Sequence, residues 1–148
     1  MKILVLGSGA REHAIVEALL AEDAGHEITA APGNAGIAAR VETVRLDPTN
    51  GSVVTQYALD NDIELVVVGP EAPLVAGVAD ALRAKGVPVF GPGKAAAALE
   101  GSKAFAKRIM EKAGVPTGRA LRATTREELE AALDELRAPH VVKADGLA

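Results

Sequence analysis

The sequence predicts an α/β fold with an open, parallel, Rossmann-like sheet and helices on both faces. Short apolar runs alternate with amphipathic segments through residues 1–93, which is typical of successive βαβ units. Several of these runs are continuously apolar, as in strands that are buried on both faces. Aromatic residues make up only 2% of a chain that is 49% hydrophobic, so small aliphatic side chains must let the helices approach the sheet closely.

The strand and helix signals are clear through these residues. Residues 2–6 form an apolar run that ends at a glycine, and residues 10–22 follow with an apolar helical face. The polar side chains of that helix, among them Glu12, are expected on its other faces. The same alternation predicts strands at 26–31, 41–46, 63–68 and 87–90, with helices at 48–61 and 74–85.

The pattern changes after residue 93. The sequence predicts helices at 94–100 and 102–113, a strand near 119–123, a helix from a Thr125–Glu128 capping box to about residue 137, and a strand at 140–143. An α/β hairpin of this size cannot bury its own faces. We therefore expect a first domain at 1–101, a connecting helix and linker at 102–118, and at 119–148 the beginning of a second domain that this chain does not complete.

Composition excludes several classes of function. The net charge is −4 and there is no basic run, which argues against a nucleic-acid partner. The chain has no cysteine, so a disulfide scaffold, a thiolate nucleophile and a cysteine-ligated metal are excluded. The apolar run at 2–6 is too short for a signal sequence or a membrane span. We expect a cytoplasmic protein without a membrane partner.

The loops that follow the strands are the candidate functional segments, because ligands of open α/β sheets bind outside the carboxyl ends of the strands. These loops are residues 7–13, 32–36, 69–73 and 91–94. In the first, Gly7-Ser8-Gly9 precedes a helix and can cradle a phosphate. A dinucleotide fingerprint would need a third glycine where Glu12 stands, which counts against NAD or FAD. The alternative is a tight turn that only packs the helix on the sheet.

Three side chains in these loops have two interpretations each. Arg11 is a cation in the first turn of a helix, where the dipole disfavours it, so either a bound anion or Glu12 should offset its charge. Asn34 can offer donors and an acceptor to a ligand, or shape its own loop as an Asx turn. Glu71 can accept hydrogen bonds from a ligand, or satisfy a helix start. His13 is expected to be structural.

Two lysines in the second half of the chain have positions that suit phosphate binding. Lys103 follows Gly101-Ser102 at a helix start, and Lys143 ends an apolar run before Asp145-Gly146. Either alone would be an ordinary surface lysine. Together they fit a clamp for the phosphates of a nucleotide.

Six segments, in order along the whole chain, resemble successive motifs of the glycinamide ribonucleotide synthetase family of the ATP-grasp superfamily. They are Gly7-Ser8-Gly9-Ala10-Arg11-Glu12-His13-Ala14, Pro32-Gly33-Asn34-Ala35-Gly36, Gly69-Pro70-Glu71-Ala72-Pro73-Leu74, Phe90-Gly91-Pro92, Glu100-Gly101-Ser102-Lys103-Ala104-Phe105 and Val142-Lys143-Ala144-Asp145-Gly146-Leu147-Ala148. One departure is Ala10, where the family commonly has another glycine.

The resemblance implies a ligase of de novo purine biosynthesis that joins glycine to 5-phosphoribosylamine with ATP and Mg²⁺ or Mn²⁺, through a glycyl phosphate. It implies a pre-ATP-grasp domain at 1–101 and the start of an ATP-grasp domain at 119–148. By motif position, Lys103 and Lys143 would contact the ATP phosphates. Phosphoribosylamine would be bound by Gly9, Ala10, Arg11, Asn34, Gly36, Gly69, Pro70 and Glu71.

The resemblance also places the catalytic residues and the metal ligands beyond Ala148, because family members are much longer. We therefore expect these 148 residues alone not to catalyse the ligation. Separately, we expect a monomer that acts on small molecules. Three alternatives stay open at this point. They are an NAD-dependent oxidoreductase domain, the N-terminal region of another ATP-grasp ligase, and a non-catalytic module that binds a ribose phosphate.

Overall fold

The computed structural model describes residues 1–146, and the chain divides into two compact units, Met1–Ala97 and Ala98–Ala148. The strands are β1 (Lys2–Gly7), β2 (Glu27–Pro32), β3 (Glu42–Thr43), β4 (Leu65–Val68) and β5 (Val89–Phe90). The helices of the first unit are α1 (Ala10–Ala21), α2 (Ala35–Ala38), α3 (Gly51–Asp60), α4 (Glu71–Ala76) and α5 (Val78–Ala84). The helix α6 (Lys94–Gly101) spans the division between the units.

The five strands form one parallel sheet in the order β3-β2-β1-β4-β5. In the central strand, Leu4 lies opposite Thr29 of β2 and Val66 of β4. The chain moves outward from β1 to β3 and then returns to the other side of β1 to form β4. The topological switch point, where ligands of such sheets bind, therefore lies between the carboxyl ends of β1 and β4. The predicted fold class is confirmed.

Two apolar layers cover the sheet, one on each face. On one face, Leu4 and Leu6 pack with residues of α3, α4 and α5, including the fully buried Leu82. On the other face, the alternate residues of β1 pack with Val16 of α1 and Ile37 of α2. Because successive side chains of a strand point to opposite faces, the continuous apolar run of β1 serves both layers.

Several details of the first unit differ from the sequence prediction. The strands predicted at 41–46 and 87–90 are reduced to Glu42–Thr43 and Val89–Phe90. The helix predicted at 74–85 is divided at Gly77, which has φ +96° and ends α4 before α5 begins. The one-turn helix α2 was not predicted, because a four-residue segment is too short to show a helical period.

In the second unit, the structure has α7 (Lys103–Lys112) and α8 (Arg126–Leu136). The capping box predicted for α8 is confirmed, since Thr125 Oγ1 accepts from the N–H of Glu128 and the Glu128 carboxylate accepts from the N–H of Thr125. The strands predicted at 119–123 and 140–143 are wrong: both segments are irregular. A strand needs a hydrogen-bonded neighbour, and residues 98–146 contain no partner strand. Leu147 and Ala148, the end of the sixth motif, lie outside the described residues.

Candidate functional site

The loop that follows β1 contains a buried carboxylate. The N-cap of α1 is Gly9, and Oε2 of Glu12 accepts a hydrogen bond from the backbone N–H of Gly9 at 2.6 Å. This is the glutamate half of a capping box, and Gly9 has no side chain with which to complete it. Glu12 is only 3% exposed. The expectation that Glu12 lies on a polar outer face of the helix is therefore wrong, because its carboxylate turns back to the helix start.

Arg11 reaches across the switch point to the loop that follows β4. Its Nη1 donates to the backbone carbonyl of Gly69 at 2.8 Å and to Oε1 of Glu71 at 3.0 Å. Glu71 is thus an acidic partner of Arg11 that the sequence did not indicate. The two side chains are 60% and 37% exposed, so a ligand can reach both charges. Exposed ion pairs stabilise a fold by only about 0–1 kcal/mol, so a ligand of suitable charge can compete for either partner.

Asn34 joins the loop that follows β2 to the loop that follows β1. Its Oδ1 accepts from the N–H of Ile37 at 3.0 Å and so caps α2, while its Nδ2 donates to the carbonyl of Ser8 at 2.8 Å. The N–H of Gly33 also donates to the carbonyl of Gly7, at 3.1 Å. Asn34 therefore shapes its own loop, as one of its two interpretations held, but as the N-cap of α2 rather than by an Asx turn, and its amide also bonds a neighbouring loop.

His13 packs closely against the loop that follows β2. A Cβ atom at Gly36 would lie 2.7 Å from ring carbon Cε1 of His13 and 3.2 Å from Oδ1 of Asn34. Within α1, Nε2 of His13 lies 3.5 Å from Oε1 of Glu17. Because Gly36 has no side chain, the His13 imidazole and the Asn34 amide can both lie close to its Cα atom.

Three of the four candidate loops are brought together at the carboxyl edge of the sheet by these bonds. The predicted substrate-binding residues on them are Gly9, Ala10, Arg11, Asn34, Gly36, Gly69, Pro70 and Glu71. The fourth loop, 91–94, is fixed to α5: Arg83 donates to the carbonyl of Gly91, and the N–H of Lys94 donates to Oδ2 of Asp80 at 2.8 Å.

The second unit contains the two predicted ATP-binding lysines. Lys143 is exposed, and Nζ of Lys103 donates to the carbonyl of Gly146 at 2.7 Å. Asp145 lies at the start of α7, where its Oδ1 accepts from the N–H of Ala104 at 3.2 Å. This bond, followed by one from the Ser102 hydroxyl, lowers the pKa of Asp145 below its usual value. The sequence did not indicate that an internal carboxylate occupies this helix start.

Residues 1–146 contain neither a cluster of metal-binding side chains nor a membrane-spanning helix. Their histidine, aspartate and glutamate side chains form no group of three or more that could bind a metal ion. None of the helices in this described range is long and apolar enough to cross a membrane.

We expect the titration of Glu71 to report its pairing with Arg11. Its own backbone N–H and then the Arg11 guanidinium lower the pKa of Glu71 below the ordinary 4.5. Because the folded-state pKa lies below the unfolded value, this stabilisation is present above pH 4.5 and is lost as the pH falls through the folded pKa. In an NMR titration, Arg11→Gln should move the Glu71 midpoint toward 4.5 without reaching it, since the N–H remains.

The matched control is Arg40→Gln, which removes another exposed ion pair of the same unit, that of Arg40 with Glu17. It should leave the titration midpoint of Glu71 unchanged. A Glu71 midpoint that is the same in Arg11→Gln as in the original sequence would contradict the pairing.

Comparison with known proteins identifies the family. The family model described as phosphoribosylglycinamide synthetase, N domain, matches residues 1–100, and the model of the ATP-grasp (A) domain of the same synthetase matches residues 101–148. The whole chain is 72% identical to a phosphoribosylamine–glycine ligase of Leifsonia xyli and 56% identical to one of Streptomyces coelicolor. It spans about a third of their length, 36% in each case.

Solved structures agree with this result. The crystal structure of a phosphoribosylamine–glycine ligase from Thermotoga maritima matches 99% of this chain, with 34% of that protein covered, a TM-score of 0.73 and 36% identity. An N5-carboxyaminoimidazole ribonucleotide synthetase from Thermus thermophilus has the same fold, with a TM-score of 0.66 over 93% of this chain and 37% of its own, at 21% identity. The resemblance seen in the sequence motifs is confirmed: this chain belongs to the phosphoribosylglycinamide synthetase family, of which it contains the N domain and a segment of the ATP-grasp domain.

Proposed function

We propose that this chain forms the N-terminal region of a ligase that joins glycine to 5-phosphoribosylamine with ATP, giving glycinamide ribonucleotide, ADP and phosphate. The observation that carries this proposal is the 72% identity, over the whole chain, to a phosphoribosylamine–glycine ligase. The proposed division is a substrate domain at 1–101, a linker at 102–118 and the beginning of the ATP-grasp domain at 119–148.

In this proposal, phosphoribosylamine binds at the switch point of the sheet. The phosphate group competes with Glu71 for Arg11, whose planar guanidinium suits the geometry of phosphate oxygens. Glu71 is then available to accept hydrogen bonds from the ribose hydroxyls or the amine. The start of α1, at Gly9 and Ala10, adds the favourable end of a helix dipole. The remaining contacts come from Asn34, Gly36, Gly69 and Pro70.

The residues proposed to bind ATP lie in the second unit. Lys103 and Lys143 provide positive charge for the ATP phosphates, and Mg²⁺ or Mn²⁺ would neutralise further phosphate charge. The glycine carboxylate receives the terminal phosphoryl group, the sugar amine attacks the resulting acyl phosphate, and inorganic phosphate leaves. In this structure Asp145 holds the N–H of Ala104, so a phosphate that used this amide would have to displace the carboxylate.

The proposed protein is a cytoplasmic monomer that acts on small molecules. The cytoplasmic location follows from the proposed reaction, whose substrates and ATP are cytoplasmic metabolites. The net charge of −4 disfavours nonspecific attraction to nucleic acid or to anionic lipid, in agreement with this proposal.

Ribose 5-phosphate is a stable probe for the proposed phosphoribosylamine site. In calorimetry with the 148-residue chain, we expect Glu71→Ala to weaken its binding roughly tenfold, the effect of removing hydrogen bonds to a charged group. The control is Glu27→Ala, because Glu27 is an exposed carboxylate at the start of β2, at the opposite end of the sheet. It should leave the affinity unchanged.

A titration with NAD tests the alternative of a dinucleotide-binding domain. Tighter binding of NAD than of ribose 5-phosphate would favour a dinucleotide domain. An affinity for ribose 5-phosphate that does not change in Glu71→Ala would remove the basis for the site at the switch point.

A further inference from the structure

Glu12 has an unusual environment for a glutamate. It is 3% exposed, although most glutamates on amphipathic helices face solvent. A buried carboxylate is costly unless polar partners satisfy it, and the N–H of Gly9 supplies one at 2.6 Å. The side chain lies at the topological switch point, between the loops that follow β1 and β4.

Three glycines from these two loops surround the Glu12 side chain. A Cβ atom at Gly69 would lie 2.1 Å from Oε1 of Glu12, and one at Gly7 would lie 2.5 Å from its Cγ. A Cβ atom at Gly9 would lie 2.9 Å from its Oε2. At Gly69, all three of the nearest atoms belong to Glu12. Distances below 3 Å are incompatible with a real side chain unless the neighbour moves, so these loops can approach only because the glycines lack one.

We propose that Glu12 is the positioning residue of the phosphoribosylamine site. Its carboxylate occupies the space left by Gly7, Gly9 and Gly69, and thereby sets the distance between the loop that carries Arg11 and the loop that carries Glu71. In this view, the missing side chains of the three glycines make room for Glu12, and the ligand contacts proposed for Gly9 and Gly69 come from their backbone. The effect on ligand binding rests on the function proposed above, whereas the packing between the loops does not.

The packing is tested by a compensation experiment. Gly69→Ala in the original sequence should lower the midpoint of thermal unfolding by about 5 °C or more, because the methyl group collides with Glu12. In the Glu12→Ala background, the same substitution should change the midpoint little, since the colliding atoms are gone. Equal losses in both backgrounds would overturn the proposal.

Ligand binding tests the positioning role. At a temperature at which all variants are folded, Glu12→Ala should weaken the binding of ribose 5-phosphate roughly tenfold. Glu12→Gln keeps the length of the side chain and an oxygen that can accept from Gly9, so it should restore most of the affinity. The matched control is Val16→Ala, which truncates a fully buried residue of the same helix outside the loops. It should destabilise the chain and leave the affinity unchanged.

The outcomes separate the two proposals. If the original sequence does not bind ribose 5-phosphate, the proposed function fails, and the compensation experiment still decides the role of Glu12 in joining the loops. If the original sequence binds and Glu12→Ala loses no more affinity than Val16→Ala, the positioning role is overturned and the function stands.

Discussion

Leu4→Ala is expected to lower the free energy of unfolding by about 2–5 kcal/mol, which is the range for truncating a fully buried leucine. Leu4 is 0% exposed in the central strand of the sheet, and it packs beneath α3 and α5 with Val54 and Leu82. Because β1 is hydrogen-bonded to β2 on one side and to β4 on the other, the cavity can collapse only in part. Urea denaturation followed by circular dichroism measures the loss, and the midpoint of thermal unfolding should fall by on the order of 10 °C.

The control for this prediction is Leu59→Ala, because Leu59 is 46% exposed on α3. Alanine is the better helix former and little apolar area is lost there, so the change should stay within about 0.5 kcal/mol. If Leu4→Ala and Leu59→Ala gave similar losses, Leu4 would not lie in the core. Leu4→Ala would also lower the folded fraction that is available to bind ligand, because the strand β1 leads directly into the loop that begins at Gly7.

The core strands of the first unit could be predicted because a strand that is buried on both faces is apolar at consecutive positions. The apolar runs at 2–6 and 63–68 indicate strands buried on both faces, and both occur in the structure at nearly the same residues. The glycines and prolines that follow the strands correctly marked the loops at the carboxyl edge. Their convergence followed from the general topology of parallel sheets rather than from any single residue.

The partners of individual side chains could not be predicted, because they come from distant parts of the chain. Arg11 and Glu71 are 60 residues apart in sequence, and no local period reports their hydrogen bond. The burial of Glu12 depends on Gly69, which belongs to another loop. One local signal was present: Glu12 stands three residues after the N-cap Gly9, which is capping-box spacing, but glycine at the N-cap concealed it.

The two wrong strands, at 119–123 and 140–143, have a different cause. Both segments are irregular and partly apolar, and Val141 and Val142 are 81% and 67% exposed. The pattern of apolar residues indicates which segments are able to form strands. A strand forms only beside a neighbouring strand with which it exchanges backbone hydrogen bonds. Sequence periodicity therefore predicted the helix α8, which bonds within itself, and failed for the segments on either side.

Gly33→Ala is the second change for which we expect a large effect, about 2–4 kcal/mol, from two separate sources. The backbone at Gly33 has φ +69°, a left-handed conformation that costs other residues roughly 1–2 kcal/mol. In addition, a Cβ atom would lie 2.7 Å from Cγ2 of Thr43 in β3, and overpacking costs about 1–3 kcal/mol. Thr43 is β-branched and stiff at χ1, so it does not turn away freely.

The chain contains a matched control that separates these two sources. Gly25 has φ +65°, and a Cβ atom there would meet nothing within 4 Å, so Gly25→Ala should show the backbone cost alone. Thr43→Ser removes Cγ2, so Gly33→Ala in that background should cost about as much as Gly25→Ala. Urea denaturation of the four variants gives these differences directly. Equal losses for Gly33→Ala and Gly25→Ala would show that Thr43 does not lie close enough to Gly33 to oppose an added methyl group. A larger loss at Gly33 that Thr43→Ser relieves would show that the loop that carries Asn34 packs as closely against Thr43 as the structure shows.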